Sequence, residues 1–292
     1  MDFEIQKINY KDKLFPKSLK NIKEAPKELY FSGRLENEEN RVAIVGARNC
    51  SKYGEDCCLK IGADLAEAGI IIVSGLARGI DSAAHTAAVR SGKRTIAVLG
   101  TAIDDIYPKE NIKLAEQIIK NNGLILSEYA PGTVTYGYDF ARRNRLIAGL
   151  SLGVLVVEAK EKSGSLITAE YAREQGKKLF AVPGSIYSQN SRGCHKLIKN
   201  GAVLVENAND VLKELKLKNL PLTYKNGKEL IKGNSPAETA ILNALAETQL
   251  NIENIIKTTN LPPEKAMATV SLLEIQNKII DLGENTYCLN RN

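Results

Sequence analysis

Val42-Ala43-Ile44-Val45-Gly46-Ala47-Arg48 opens with four apolar residues that run without polar alternation, the pattern of a strand buried on both faces. Downstream, Glu55 to Ala68 places Cys58, Ile61 and Leu65 on one helical face, and a second apolar run, Ile70 to Val73, follows Gly69. Strand, helix, strand in so short a span predicts a parallel pair joined by a crossover helix. On either side of this unit, β-rich runs recur at residues 95–99, 124–126, 153–157, 179–182 and 203–205, with a helical period between them, as at residues 111–121 with Leu114, Ile118 and Ile119. The expected class is α/β with a doubly wound, mostly parallel sheet.

Local punctuation agrees with this alternation. Asp81 is expected as a helix N-cap and Pro108 as a helix opener. Gly69, Gly123, Gly176 and Gly201 follow helices where a left-handed residue is wanted. The division expected is a lead-in segment over 1–40 that packs against the sheet, a Rossmann-like domain over 41–217, a basic linker over 218–233, and a small domain over 234–292. In the last, helices at 237–247, 252–258 and 263–277 precede a hairpin of 279–282 with 286–289, the element order of a winged helix.

Composition narrows the function. The 292 residues carry a net charge of +6, unevenly spread. From Asn234 to Asn292 four Lys/Arg face seven Asp/Glu, a balance of −3, so the rest of the chain carries +9. Such a body favours acidic partners. No run approaches the roughly 18 apolar residues that span a bilayer, and the amino terminus lacks a signal-peptide core, so a cytoplasmic protein with no membrane partner is expected. Five cysteines without a C-x-x-C pair argue against a disulfide framework or a zinc site, and no metal is expected.

In a parallel sheet, ligands bind beyond the carboxyl ends of the strands. The turns there read Gly46-Ala47-Arg48, Ser74-Gly75-Leu76-Ala77-Arg78-Gly79, Lys160-Glu161-Lys162-Ser163-Gly164-Ser165 and Pro183-Gly184-Ser185. Small residues let backbone N–H groups reach an anion, and helix N-termini add partial positive charge. The plainer reading is that these glycines permit tight turns. A dinucleotide enzyme is disfavoured because G-x-G-x-x-G is missing and the second strand ends in Ser74 rather than an acid; no cofactor is expected. Asp81, His85, Glu128 and Glu158 all fall near the same edge, yet a lone His85 more often positions a loop than acts as a base.

Residues 136–145, Tyr-Gly-Tyr-Asp-Phe-Ala-Arg-Arg-Asn-Arg, set three aromatics among three arginines. Aromatic faces stack on any base while guanidinium groups neutralise phosphates. A solvated helix face is the alternative, and Phe140 is equally compatible with a core anchor.

With these turns in view, the sequence resembles the DprA/Smf family, the bacterial DNA-processing proteins of natural transformation. The resemblance rests on Tyr30–Gly33, Val42–Arg48, the run from Val73-Ser74-Gly75 to His85, Phe140–Gly149, Val157–Ala159 with Ser163–Thr168, and Ala181–Gly184. It implies an extended Rossmann fold that binds single-stranded DNA, dimerises, protects the incoming strand and loads RecA onto it while displacing single-strand-binding protein, without catalysis. The DNA contacts it implies are Gly46, Arg48, Ser74, Gly75, Arg78, Gly79, Phe140, Arg143, Asn144, Arg145, Ser163, Gly164, Ser165, Thr168, Gly184 and Lys196. Three departures stand out. Too few residues precede the first strand for the sterile-alpha-motif module common in the family, His195 replaces a usual asparagine, and Ala47 replaces a usual serine, removing a hydroxyl from the first turn.

The acidic tail offers only Lys265 on its expected recognition helix, which favours a protein contact over a DNA groove. The competing function is a nucleotide-processing enzyme of the lysine-decarboxylase-like phosphoribohydrolase group, with Glu158 or Glu170 acting on a ribose; its P-G-G-x-G-T-x-x-E signature is matched only loosely by Ser163 to Glu170.

Overall fold

The computed structural model describes residues 4–37, 40–217, 231, 233–247, 249–283 and 285–290. Two compact units divide the chain, Met1–Pro221 and Leu222–Asn292. The basic linker expected over 218–233 lies, apart from Ile231 and Gly233, outside the described residues.

The first unit is built on nine strands: β1 (Gln6–Asn9), β2 (Glu28–Gly33), β3 (Arg41–Val45), β4 (Ile71–Ser74), β5 (Thr95–Val98), β6 (Leu124–Ser127), β7 (Gly153–Val156), β8 (Lys178–Ala181) and β9 (Val203–Leu204). Their order is β1-β2-β6-β5-β4-β3-β7-β8-β9. From β6 to β9 every pairing is parallel, whereas β1 and β2 join antiparallel at one edge. The helices are α1 (Lys17–Lys20), α2 (Lys52–Glu67), α3 (Ile80–Arg90), α4 (Ile112–Lys120), α5 (Gly137–Leu150), α6 (Gly164–Glu174), α7 (Arg192–Lys199) and α8 (Ala208–Glu214).

The pleat sends alternate residues of each strand to opposite faces, so apolar side chains are buried on both. Ala43, Val45, Val154 and Val156 pack with Phe15, Leu19, Leu146 and Ile147 on one side. Val42, Ile44, Leu155 and Val157 pack with Cys58, Ile61, Leu65, Ile80 and Val211 on the other. All five residues of β3 are buried, which explains its unbroken apolar run. The lead-in residues do more than pack against the sheet: β1 and β2 extend it, with Leu29 and Phe31 buried.

Two local expectations are corrected. The residue capping α3 is Gly79, not Asp81, which sits inside the first turn and accepts from the Gly75 N–H at 3.1 Å. The left-handed residue after α4 is Asn122 (φ 55°), not Gly123. Gly123 is required for a different reason, since a Cβ there would stand 2.6 Å from Ile118 and from the Thr95 carbonyl.

The second unit contains α9 (Pro236–Glu247), α10 (Ile252–Thr259) and α11 (Pro263–Ile275) around Ile241, Leu245, Ile255, Val270 and Leu273. Beside them lies a three-stranded antiparallel sheet of β10 (Leu250–Asn251), β12 (Thr286–Leu289) and β11 (Ile279–Asp281), in that order. The short β10 is an addition to the helices and hairpin read from the sequence.

Candidate nucleic-acid interface

The chain winds outward from β3 through β4, β5 and β6, then returns to place β7 on the other side of β3. The loops after β3 and β7 therefore diverge, opening a crevice at the carboxyl edge of the sheet. A cavity of about 470 Å³ lies there, lined by Gly46 to Asn49, by Phe140, Arg143 and Asn144 of α5, and by Lys160, Lys162 and Ser163 to Ser165 with Thr168.

Each wall has a physical origin. Gly46 is pressed against α3, since a Cβ would come within 2.6 Å of Ile80, and the Ala47 N–H donates to the Glu158 carbonyl at 2.8 Å. Gly79 combines φ +71° with an Ala47 carbonyl 2.3 Å from where a Cβ would sit. Arg48 is thereby left exposed, its guanidinium 5.9 Å from the centroid of the Phe140 ring, within cation–π range. Phe140 is half-buried: it rests on Gly100 and stands 5.5 Å from Tyr107, yet still lines the cavity.

Helix α5 is started by Asp139, whose carboxylate accepts from the Tyr136 N–H at 2.7 Å and from the Tyr129 hydroxyl at 2.6 Å. The next turns point Arg143 inward. Its guanidinium donates to the Gly75 carbonyl at 2.8 Å and to the Val98 carbonyl, and burial pulls its pKa down to about 10, which leaves it charged at neutral pH. Gly75 exists to admit it, because a Cβ would lie 2.5 Å from the guanidinium. Beneath it, burial raises the Asp81 pKa while the Arg143 charge opposes that rise.

Opposite stands the N-terminus of α6, capped by Ser163, whose Oγ accepts from the Ser165 N–H at 3.4 Å. A helix start supplies free N–H groups and partial positive charge to an anion. Asn144 bridges the walls by donating to the Gly164 carbonyl at 3.3 Å.

Nine of the expected contacts thus meet in the cavity: Gly46, Arg48, Phe140, Arg143, Asn144, Ser163, Gly164, Ser165 and Thr168. The others do not. Arg145 is 2% exposed and grips Glu128 through two bonds of 2.6 and 2.7 Å on the opposite side of α5, so it is a structural residue. Ser74 is buried, donating to the Ile44 carbonyl at 2.7 Å. Gly75 and Gly79 shape the floor through packing alone. Arg78 is exposed but paired with Glu110 at 2.6 Å, and Lys196 projects from α7 outside the cavity. Gly184 lines a separate cavity of about 480 Å³.

Lys160 and Lys162 line the cavity although the sequence reading does not count them among the contacts. Their signal was in the sequence: two lysines immediately before a Ser-Gly-Ser helix start, with the intervening Glu161 drawn 4.0 Å from Arg192.

Groups suited to catalysis are otherwise engaged. His85 is buried against Thr95 at 2.8 Å, and desolvation depresses its pKa to about 3. Glu158 accepts from the Ser51 N–H at 2.8 Å and the Ser51 hydroxyl at 2.6 Å, while exposed Glu170 pairs with Arg173 at 3.0 Å. Neither carboxylate lines the cationic cavity.

Fold and cleft together define a doubly wound α/β protein with a cationic crevice at its switch point. The family DNA recombination-mediator protein A matches residues 6–216, and the chain belongs to that family. Its role is therefore in DNA processing, within a family of recombination mediators. The chain is 50% identical to DNA processing protein DprA of Streptococcus pneumoniae over 204 residues, 70% of this chain and 72% of that protein. It is 41% identical to the Bacillus subtilis DprA over 221 residues, 75% and 74% of the two chains. Among solved structures, DNA processing protein A from Helicobacter pylori, described for its single-stranded DNA binding mode, superposes with a TM-score of 0.67 at 32% identity, covering 75% of this chain and 98% of that one.

Proposed function

We propose that this protein binds single-stranded DNA in the crevice between the β3 and β7 loops. The observation that carries the reading is the convergence of Arg48, Arg143, Lys160 and Lys162 with the half-buried Phe140 ring and the α6 N-terminus. Cations and helix N–H groups take phosphates, and the ring takes a base face, so the grip is sequence-tolerant and salt-dependent. The likeness to the Helicobacter pylori protein supports the same reading. The mediator's role follows from this grip. As a homodimer in the cytoplasm, the protein protects incoming single strands, displaces single-strand-binding protein and loads RecA. The carboxyl-terminal unit works as a winged helix that docks on protein, since α11 presents Met267, Leu272 and Ile275 to solvent and only one lysine.

The test is a titration of labelled single- and double-stranded oligonucleotides at two salt concentrations, with nucleotide hydrolysis followed in parallel. Tight, salt-sensitive binding of the single strand without hydrolysis supports the reading; binding indifferent to strand state and salt refutes it. A RecA strand-exchange assay on strands coated with single-strand-binding protein tests the loading step.

A further inference from the structure

Of the three aromatics in residues 136–145, Phe140 lines the cationic crevice and Tyr136 and Tyr138 do not. Gly137, which separates the two tyrosines, does line it. Consecutive Cα atoms are about 3.8 Å apart, so both tyrosines stand at the rim of the crevice, where α5 begins. Neither ring belongs to a core. Tyr136 is 57% exposed and Tyr138 66%, and the two are stacked on each other with centroids 5.8 Å apart and planes 15° from parallel. A tyrosine that serves packing hides its ring and leaves only the hydroxyl wet, whereas these rings cover one another and keep more than half of their surface in water.

Isolated exposed apolar side chains are ordinary, but here Val134, 73% exposed, joins the two rings within five residues. The backbone beneath them is held. The Gly132 N–H donates to the Asp104 carboxylate at 3.0 Å, the Thr133 N–H to the Ala130 carbonyl at 3.1 Å and the Tyr136 N–H to Asp139 at 2.7 Å. A ligand that lies on rings fixed in this way loses little further entropy in ordering them. From Tyr129 to Tyr138 the chain has no charged residue, so this rim offers a phosphate no ion pair and offers a flat partner an aromatic face.

We propose that the Tyr136 and Tyr138 stack is a platform for a base of the strand whose phosphates lie in the cationic crevice, extending the bound strand past the start of α5. The proposal rests on the strand-binding reading above. Continuity selects the occupant: Gly137 joins the platform to the crevice, and a strand held there by its phosphates carries its next base over the rim. Stacking on a ring asks for no particular base, so the platform adds affinity without sequence preference. It adds no salt dependence either, because a neutral ring releases no counterion.

The experiment uses the full chain, oligo-dT, and an abasic strand of equal length and charge, at several salt concentrations. Both side chains are exposed, so their substitution leaves the fold intact. The double variant Tyr136→Ala with Tyr138→Ala is expected to bind oligo-dT about tenfold more weakly with an unchanged salt slope, and to bind the abasic strand as the unaltered protein does. The chain contains no tryptophan, so Tyr138→Trp places one indole in the platform. Its fluorescence should be quenched by saturating oligo-dT and left unchanged by the abasic strand. Unaltered oligo-dT affinity in the double variant, or an indole that responds equally to both strands, overturns the platform. A double variant that changes oligomeric state by light scattering while binding oligo-dT normally gives the rings to a second copy of the chain and overturns it as well. Absence of salt-dependent strand binding in the unaltered protein overturns the underlying reading instead.

Discussion

Two faces of α5 carry arginines two residues apart in the same sequence run, and they do unrelated things. On the crevice face, Phe140, Arg143 and Asn144 meet the β3 and β7 loops. On the other, Arg145 clamps Glu128 and reaches the Glu24 carbonyl at 3.2 Å, while exposed Arg142 lies 3.9 Å from both Glu128 and Glu24. A helix rotates about 100° per residue, so neighbouring cations are delivered to different neighbourhoods. Charge density along a chain therefore does not measure the charge offered to a ligand.

The contrast between the two faces is most exposed to refutation at Arg145. Arg145→Ala leaves Glu128 with a lost partner in a nearly closed site, and a stability loss of about 3–5 kcal/mol is expected in urea unfolding. The folded fraction should bind strands with unchanged salt slope; a reduced slope would return Arg145 to the interface. Arg143→Ala should affect both properties. The Gly75 and Val98 carbonyls lose a donor and Asp81 loses a nearby positive charge, costing about 3 kcal/mol, and the salt slope falls by about 0.7 for one phosphate contact on a single strand.

His85 tests the floor beneath the crevice face. Its folded pKa of about 3 lies below its ordinary 6.5, so its neutral form contributes stability in full above pH 6.5, lost as pH falls toward 3. Between pH 7 and pH 5 the loss is about 2 kcal/mol by linkage. Asp81, whose pKa is raised by burial, works in the opposite sense, so the measurement is the difference in pH dependence between the native chain and His85→Gln. Equal dependence in the two would show that His85 is not buried neutral. The smallest stability effect belongs to Arg48→Ala: below about 0.5 kcal/mol for an exposed side chain, yet with the same fall of about 0.7 in salt slope.

Much of this architecture is legible in the sequence. The strands from β3 to β9 lie within about one residue of their apolar runs; for β3 to β7 the reason is burial on both faces, which demands unbroken apolar sequence. β1 and β2 are less visible, since antiparallel strands alternate and the lysines and prolines around them obscure the period, although Leu29 and Phe31 carry it. The glycines of the second turn are legible as important, but what they admit is not: Gly75 makes room for the Arg143 guanidinium and Gly79 for the Ala47 carbonyl.

Periodicity and turn residues are enough to set the fold class, the edge of the sheet where the crevice lies and the types of side chain available there, because these depend on local spacing. Which cations face the crevice is a matter of tertiary packing. Strand order placed β7 beside β3 and so brought Lys160 and Lys162 opposite Arg48. The packing of α5 between the sheet and the amino-terminal segment then turned Arg143 in and Arg145 away, since helical phase has no direction until a core fixes it.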